Sequence, residues 1–190
     1  MADNKNVVEF GLENLHIAEY DETAGTYKKP ERVPNVVSLK LKNKMEQINL
    51  YADDGVFFSL INNNGYTGDL EIYNFDDDFK EKYLGFKKDK NGVLFEPSVI
   101  VQKSFALLFK ILGDKSDRCT VLYKVALGKG EVELKTKADK TEIKVLKIPI
   151  IATPAEFKDF DGKVVQASTI DKDKKASWFT TVYVPVKNEV

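Results

Sequence analysis

Cys119 and His16 are the single cysteine and the single histidine of this 190-residue chain. A thiolate–imidazole pair is the first chemistry that their types suggest. Their surroundings argue otherwise. Cys119, Val121, Tyr123 and Val125 alternate with Thr120, Leu122, Lys124 and Ala126, the period of a strand, so Cys119 reads as a small buried core residue. His16 stands in Leu15-His16-Ile17-Ala18 and reads as an ordinary strand residue. One imidazole and one thiol also cannot build a zinc site of nitrogen and sulfur ligands, so no metal is expected there.

Carboxylates are the next candidates: Asp53-Asp54, Asp76 to Asp78, Asp159 with Asp161, and Asp171 with Asp173. A calcium loop needs oxygen ligands at alternate positions before a fixed glycine. Counted back from Gly162 or Gly92, the first ligand position falls on Phe157 or Lys87, and neither fits. Turn and helix-start roles suit these acids better. A hydrolytic carboxylate pair has no positive support. Gly128-Lys129-Gly130 lacks the spacing of a phosphate-binding loop, and no dinucleotide fingerprint occurs. No cofactor is expected.

Composition narrows the classes further. Lys and Arg number 29 against 30 Asp and Glu, for a net charge of −1. Non-specific phosphate binding needs a basic excess, so a nucleic-acid or membrane-surface protein is disfavoured. The lysine groups at 40/42/44, 135/137/140 and 172/174/175 read as solvated faces and loops. Without a second cysteine no internal disulfide forms. No apolar run approaches a membrane span and the first residues carry no apolar signal core, so synthesis in a reducing cytoplasm is expected.

The elements that must position any site are mostly strands. Val37, Leu39 and Leu41 alternate with Ser38, Lys40 and Lys42; residues 105–112 are almost wholly apolar; residues 145–150 alternate again; and Trp178 to Val184 is rich in aromatic and β-branched residues. One helix interrupts them over residues 76–85. Acidic residues open it, Phe79, Tyr83 and Leu84 fall near one face, and Gly85 stops it. Residues 20–35 and 154–175 read as loops. The pattern predicts a single domain over 1–190, mainly β, a β-sandwich with one short flanking helix.

The densest region is Asn49 to Tyr73. Leu50 and Tyr51 close one strand, Val56 to Ile61 make a second, and Asp69 to Tyr73 a third. Asp53-Asp54-Gly55 and Asn62-Asn63-Asn64-Gly65 separate them as turn signals. The middle strand is apolar on both faces: Val56, Phe58 and Leu60 one way, Phe57 and Ile61 the other. Such a strand needs cover on both sides, and a small domain can cover one side with a partner. Phe57, Phe58, Tyr66 and Tyr73 crowd together here, either as core or as a subunit interface, where aromatics concentrate.

Several segments jointly resemble one family. They are Tyr51-Ala52-Asp53; Gly65-Tyr66 with Gly68-Asp69-Leu70-Glu71-Ile72; Asp77-Asp78-Phe79 with Leu84-Gly85; Phe105-Ala106-Leu107-Leu108-Phe109 with Gly113-Asp114; and Ala152-Thr153-Pro154. In order and spacing, from about Val7 to Pro185, they look like the major tail proteins (tail tube proteins) of long, non-contractile-tailed bacteriophages, the siphophages. The resemblance implies a structural virion protein of the phage tail with no enzyme activity. It implies homohexameric rings whose inner strands join into a ring-shaped β-barrel. The rings stack into a tube around a tape-measure protein, between tail terminator and distal tail proteins. Double-stranded DNA passes through during ejection without specific binding, and no membrane is involved.

On that footing residues 51–66 are expected to form an assembly arm, with Tyr51, Phe57, Phe58 and Tyr66 at subunit contacts. DNA must slide without sticking, so the channel wall is expected to be acidic, with lysines segregated outward. The candidates are Glu46, Asp53, Asp54, Asp69 and Glu71. Other readings are a type VI secretion-like tube or tail terminator protein, and a carbohydrate-binding β-sandwich, which would need exposed aromatics on a sugar-sized platform, whereas Trp178 is the single tryptophan.

Overall fold

The computed structural model describes residues 11–52, 55–73, 76–112, 117–130 and 145–187. In chain order its strands are β1 (Leu12–Asp21), β2 (Thr26–Tyr27), β3 (Glu31–Arg32), β4 (Val36–Ala52) and β5 (Gly55–Ile72), followed by helix α1 (Asp77–Tyr83). Then come β6 (Lys87–Lys88), β7 (Leu94–Phe95), β8 (Phe105–Ile111), β9 (Cys119–Leu127), β10 (Leu146–Ala152), β11 (Ala155–Phe157), β12 (Phe160–Val164), β13 (Gln166–Thr169) and helix α2 (Lys172–Ser177). The chain is mainly β, with antiparallel sheets and two short helices. The turn read at Gly113-Asp114 and the lysines at 135, 137 and 140 lie outside the described residues.

The main sheet runs β2-β1-β8-β9-β10-β5-β4, with β3 also on β1 and β13 also on β9. Strand β9 is where it branches. Cys119–Leu122 pair with β13, while Val125–Leu127 pair with β10. Between them Lys124 adopts φ 46°, a local kink in the strand. Two small hairpins, β6–β7 and β11–β12, stand apart.

Two apolar layers flank this sheet, which is why β8 is almost continuously hydrophobic. Phe105, Leu107 and Phe109 enter the larger core; Ala106 and Leu108 enter the other. Helix α1 closes the larger core with Phe79, Tyr83 and Leu84. It starts where Asp76 caps it, Oδ1 accepting from the Phe79 amide at 2.8 Å. Phe79 and Tyr83, one turn apart, pack inward as a tilted pair with ring centroids 4.8 Å apart. The Tyr83 hydroxyl donates to Glu31 at 2.9 Å and so ties the helix to β3.

The smaller core is closed by the segment after α2. Trp178 stacks on Tyr183 with an interplanar angle of 15°, and the Tyr123 hydroxyl donates to the Tyr183 carbonyl at 2.6 Å. This corrects the strand expected over Trp178 to Val184: the segment packs by side chains as an irregular strap. Two further corrections concern the stretch 154–175. It holds β11, β12, β13 and the start of α2 in place of a loop, and α2 is a second helix beside the one expected. Its polar composition hid them, because these strands are largely solvent-facing. The range 20–35 is mostly irregular, holding the end of β1 and the short strands β2 and β3.

Candidate assembly interface

Strands β4 and β5 form one long hairpin. Pairing runs from Val36↔Ile72 to Ala52↔Gly55. Its root belongs to the main sheet, because β10 covers β5 from Ile72 to Tyr66. Beyond Tyr66 the two strands pair only with each other among the described residues. About eight residues a strand project, a reach of ~26 Å at 3.3 Å per residue. The three separate strands expected here are therefore two, and Asn62-Asn63-Asn64-Gly65 is no turn. Asn43↔Tyr66 is followed by Met45↔Asn63, so Asn64 and Gly65 face Lys44 alone. That is a β-bulge, with Gly65 at φ 104° and its amide held by Asn63 Oδ1 at 3.0 Å. The positive φ that asparagine–glycine signals is used to bend a strand.

The arm is apolar on one face. Directly paired residues share a face, as do alternate residues along a strand. Ile48↔Leu60 and Leu50↔Phe58 thus make an apolar quartet drawn from both strands. The other face is mixed. Gln47, Asn49 and Ser59 interlock there, Ser59 Oγ donating to Asn49 Oδ1 at 2.8 Å, beside Met45 and Ile61. The middle strand read as apolar on both sides is thus only part of the pattern; Ile48 went unrecognised, and Leu50, read as the close of a strand, was not placed on this face. Phe57 sits at a second bulge between Leu50↔Phe58 and Tyr51↔Val56.

Of the aromatics singled out, Phe57 is 79% exposed, Tyr51 72% and Phe58 50%. Tyr66 sits apart from them, half-buried at the root against the larger core. Tyr73, at the end of the hairpin, is exposed.

The solvent face of the hairpin root carries the charges. Lys40 opposes Asp69, Ser38 opposes Glu71, and Lys147 opposes Glu71 from β10. Glu71 accepts from Lys40 Nζ at 2.8 Å and from Ser38 Oγ at 2.7 Å. The Lys40 hydrogen bond first, and that from Ser38 next, hold its carboxyl below the usual carboxylate range. Lys40 is raised in turn, chiefly by the same bond. Glu46 continues this face onto the arm and accepts from Asn64 at 3.1 Å. Asp53 and Asp54 lie outside the described residues. The two signs mix on this face: Lys40, Lys42 and Lys147 stand among Asp69 and Glu71, and cross-strand pairs of opposite charge are the arrangement a sheet favours.

A family profile described as phage tail tube protein matches residues 1–184. The chain belongs to the phage tail tube protein family. It is a structural, non-enzymatic component of the phage tail, and its partners include other tail components. Among solved structures, the tail tube chain is similar to the cryo-EM structure of the anti-feeding prophage cap (AFP tube terminating cap). Identity is 12%, the TM-score is 0.48, and the match covers 89% of this chain and 99% of that chain. No curated protein matches.

The remaining chemical candidates of the tail tube chain fall into structural roles. Cys119 is buried in the smaller core, and burial pushes its thiol up. His16 lies in β1, its Nδ1 2.8 Å from the Asn14 carbonyl and its ring against Phe179 at 4.8 Å. Trp178 is 2% exposed, so it offers no platform to a sugar. Asp76 and Asp171 are the caps of α1 and α2. Among the described residues no group of three or more His, Cys, Asp or Glu is placed to hold a metal ion. None of their helices is long and apolar enough to cross a membrane.

Proposed function

We propose that this chain is the subunit of hexameric rings that stack into the tail tube of a long, non-contractile-tailed phage. The observation that carries the reading is the arm: an exposed ribbon, apolar on one face, held out from the sheet in a chain of the tail tube family. Apolar area left in water costs roughly 25 cal/mol per Å², and large exposed patches mark interaction sites. The arm reaches a neighbouring subunit, and the free edge of β4 joins the next sheet, so that ring closure removes the exposed edges. The tube encloses a tape-measure protein, ends on terminator and distal tail proteins, and passes double-stranded DNA without binding it specifically. Purified protein is expected to form rings or tubes without nucleotide, metal or cofactor, seen by negative-stain microscopy. A stable monomer at high concentration, even with tail extract added, would contradict the reading.

The same reading makes the solvent face of β4, β5 and β10 the channel wall. That wall is close to charge-balanced, and mutual pairing of Lys40 and Glu71 leaves little free positive charge to hold phosphates. At the hairpin root, replacing Asp69 and Glu71 by lysine turns Lys40, Lys42 and Lys147 among two acids into five lysines, with Glu46 the acid left farther out on the arm. Exposed ion pairs contribute about 0–1 kcal/mol, so tubes are expected to form normally. DNA ejection is expected to slow, most at low salt where screening is weakest. Normal tails with unchanged ejection rates at low salt would place the wall elsewhere.

A further inference from the structure

The three most exposed large apolar side chains among the described residues are Val101 at 85%, Val99 at 80% and Phe57 at 79%. They belong to two patches. One is the arm. The other is an apolar strip over residues 93–101, which runs from the end of the β6–β7 hairpin toward β8. Val93, Phe95, Val99 and Val101 of the strip face solvent. Its inward side is fixed: Ile100 lies so close to Gly85 that a Cβ there would come within 2.5 Å of Ile100 Cγ2.

The β5 half of the arm and the strip are free or nearly free of charge, while the β4 half carries Lys44 and Glu46 rootward of Ile48 and Leu50. Residues 55–68 carry no charged side chain, and the strip carries only Glu96, which is ion-paired with Lys129. Charge depletion with aromatic enrichment is the composition of an interface centre.

We infer that the apolar face of the arm, Ile48, Leu50, Phe58 and Leu60, docks on the 93–101 strip of a second copy of this chain. The inference rests on the tail tube reading above and names the partner surface of its arm. Symmetry argues for two different patches. If arm met arm, the contact would be the same on both copies and would close as a dimer; a contact that repeats around a ring needs a head and a tail. The arm and the strip supply these on separate elements. Size agrees with a partial role. One face of a ribbon ~26 Å long covers a few hundred Å², whereas a specific interface needs roughly 800 Å² on each partner. Arm docking is therefore one part of the ring contact, with edge pairing supplying the rest.

Two blocked copies test this: Phe58→Asp with Leu60→Asp in the arm, and Val99→Asp with Val101→Asp in the strip. All four sites are exposed, and circular dichroism checks the fold. Each blocked copy alone is expected to lose assembly. Mixed, one intact arm meets one intact strip, and sedimentation is expected to show one-to-one dimers and nothing larger. Phe58→Cys and Val99→Cys copies, co-assembled and oxidised, are expected to give a mixed disulfide dimer on a non-reducing gel. Cys119 is buried and does not compete. Strip-blocked copies that polymerise like wild type, or co-assembled copies joined only 58 to 58 or not at all, overturn the docking and leave the tail tube reading standing. A wild-type chain that never assembles removes both.

Discussion

Replacing both Phe57 and Phe58 with serine is expected to abolish polymerisation while the subunit stays folded. Neither ring belongs to a core cluster, and both lie on the arm beyond the last residue that β10 covers. Substitutions at such exposed positions usually change stability by less than about 0.5 kcal/mol. At an interface the same residues weigh far more. An aromatic anchor truncated in a desolvated contact costs about 2 kcal/mol or more. Two of them at about 4 kcal/mol together weaken each contact roughly a thousandfold, and a ring of identical subunits suffers that loss at every contact. Sedimentation and microscopy read the assembly; far-ultraviolet circular dichroism and a denaturant midpoint read the fold. A variant that still forms tubes at wild-type concentration would show the arm to be idle. One that unfolds would show that the two rings support the domain.

How much of this was legible beforehand depends on what each segment packs against. Strands β8, β9 and β10 and helix α1 were readable because their partners lie within the same chain: alternation follows the two cores, and the α1 pattern of acidic start, Phe79 and Tyr83 follows one of them. The arm was only half readable. Its sequence from Lys42 to Leu50 mixes lysine, asparagine and glutamine with Met45 and Ile48, so no single-strand period stands out. The apolar quartet exists only once the register sets Ile48 against Leu60 and Leu50 against Phe58. Register is a long-range fact that neither strand carries alone. The strap after α2 failed for a related reason. Trp178, Val182 and Tyr183 have strand-like composition, but their burial comes from lying across the smaller core, and no neighbouring strand offers them a ladder. The strip over residues 93–101 went unrecognised altogether, though Val93, Val99 and Val101 were visible as apolar residues in a region without periodicity.

Gly65→Ala is expected to cause a large loss of stability, and to take assembly with it. The first cause is conformational. Gly65 holds φ 104°, where side chains are strained, and such a conformation costs a non-glycine residue about 1–3 kcal/mol. The second is steric. A Cβ at this position would overlap the carbonyl oxygen of Ala152, which is the β10 residue paired with Tyr66. Backbone cannot rotate aside as a long side chain can, so β10 must shift against β5 just where the arm leaves the sheet. That adds to a domain whose whole stability is about 5–15 kcal/mol. Gly92→Ala separates the two causes. Gly92 also has positive φ, 80°, but nothing lies within 4 Å of its would-be Cβ, so only the conformational part applies. Denaturant midpoints should therefore fall modestly for Gly92→Ala and much further for Gly65→Ala. Equal losses would mean that the bulge yields freely and does not set the direction of the arm. The unequal result would tie one glycine at the root both to the strength of the sheet and to where the arm points.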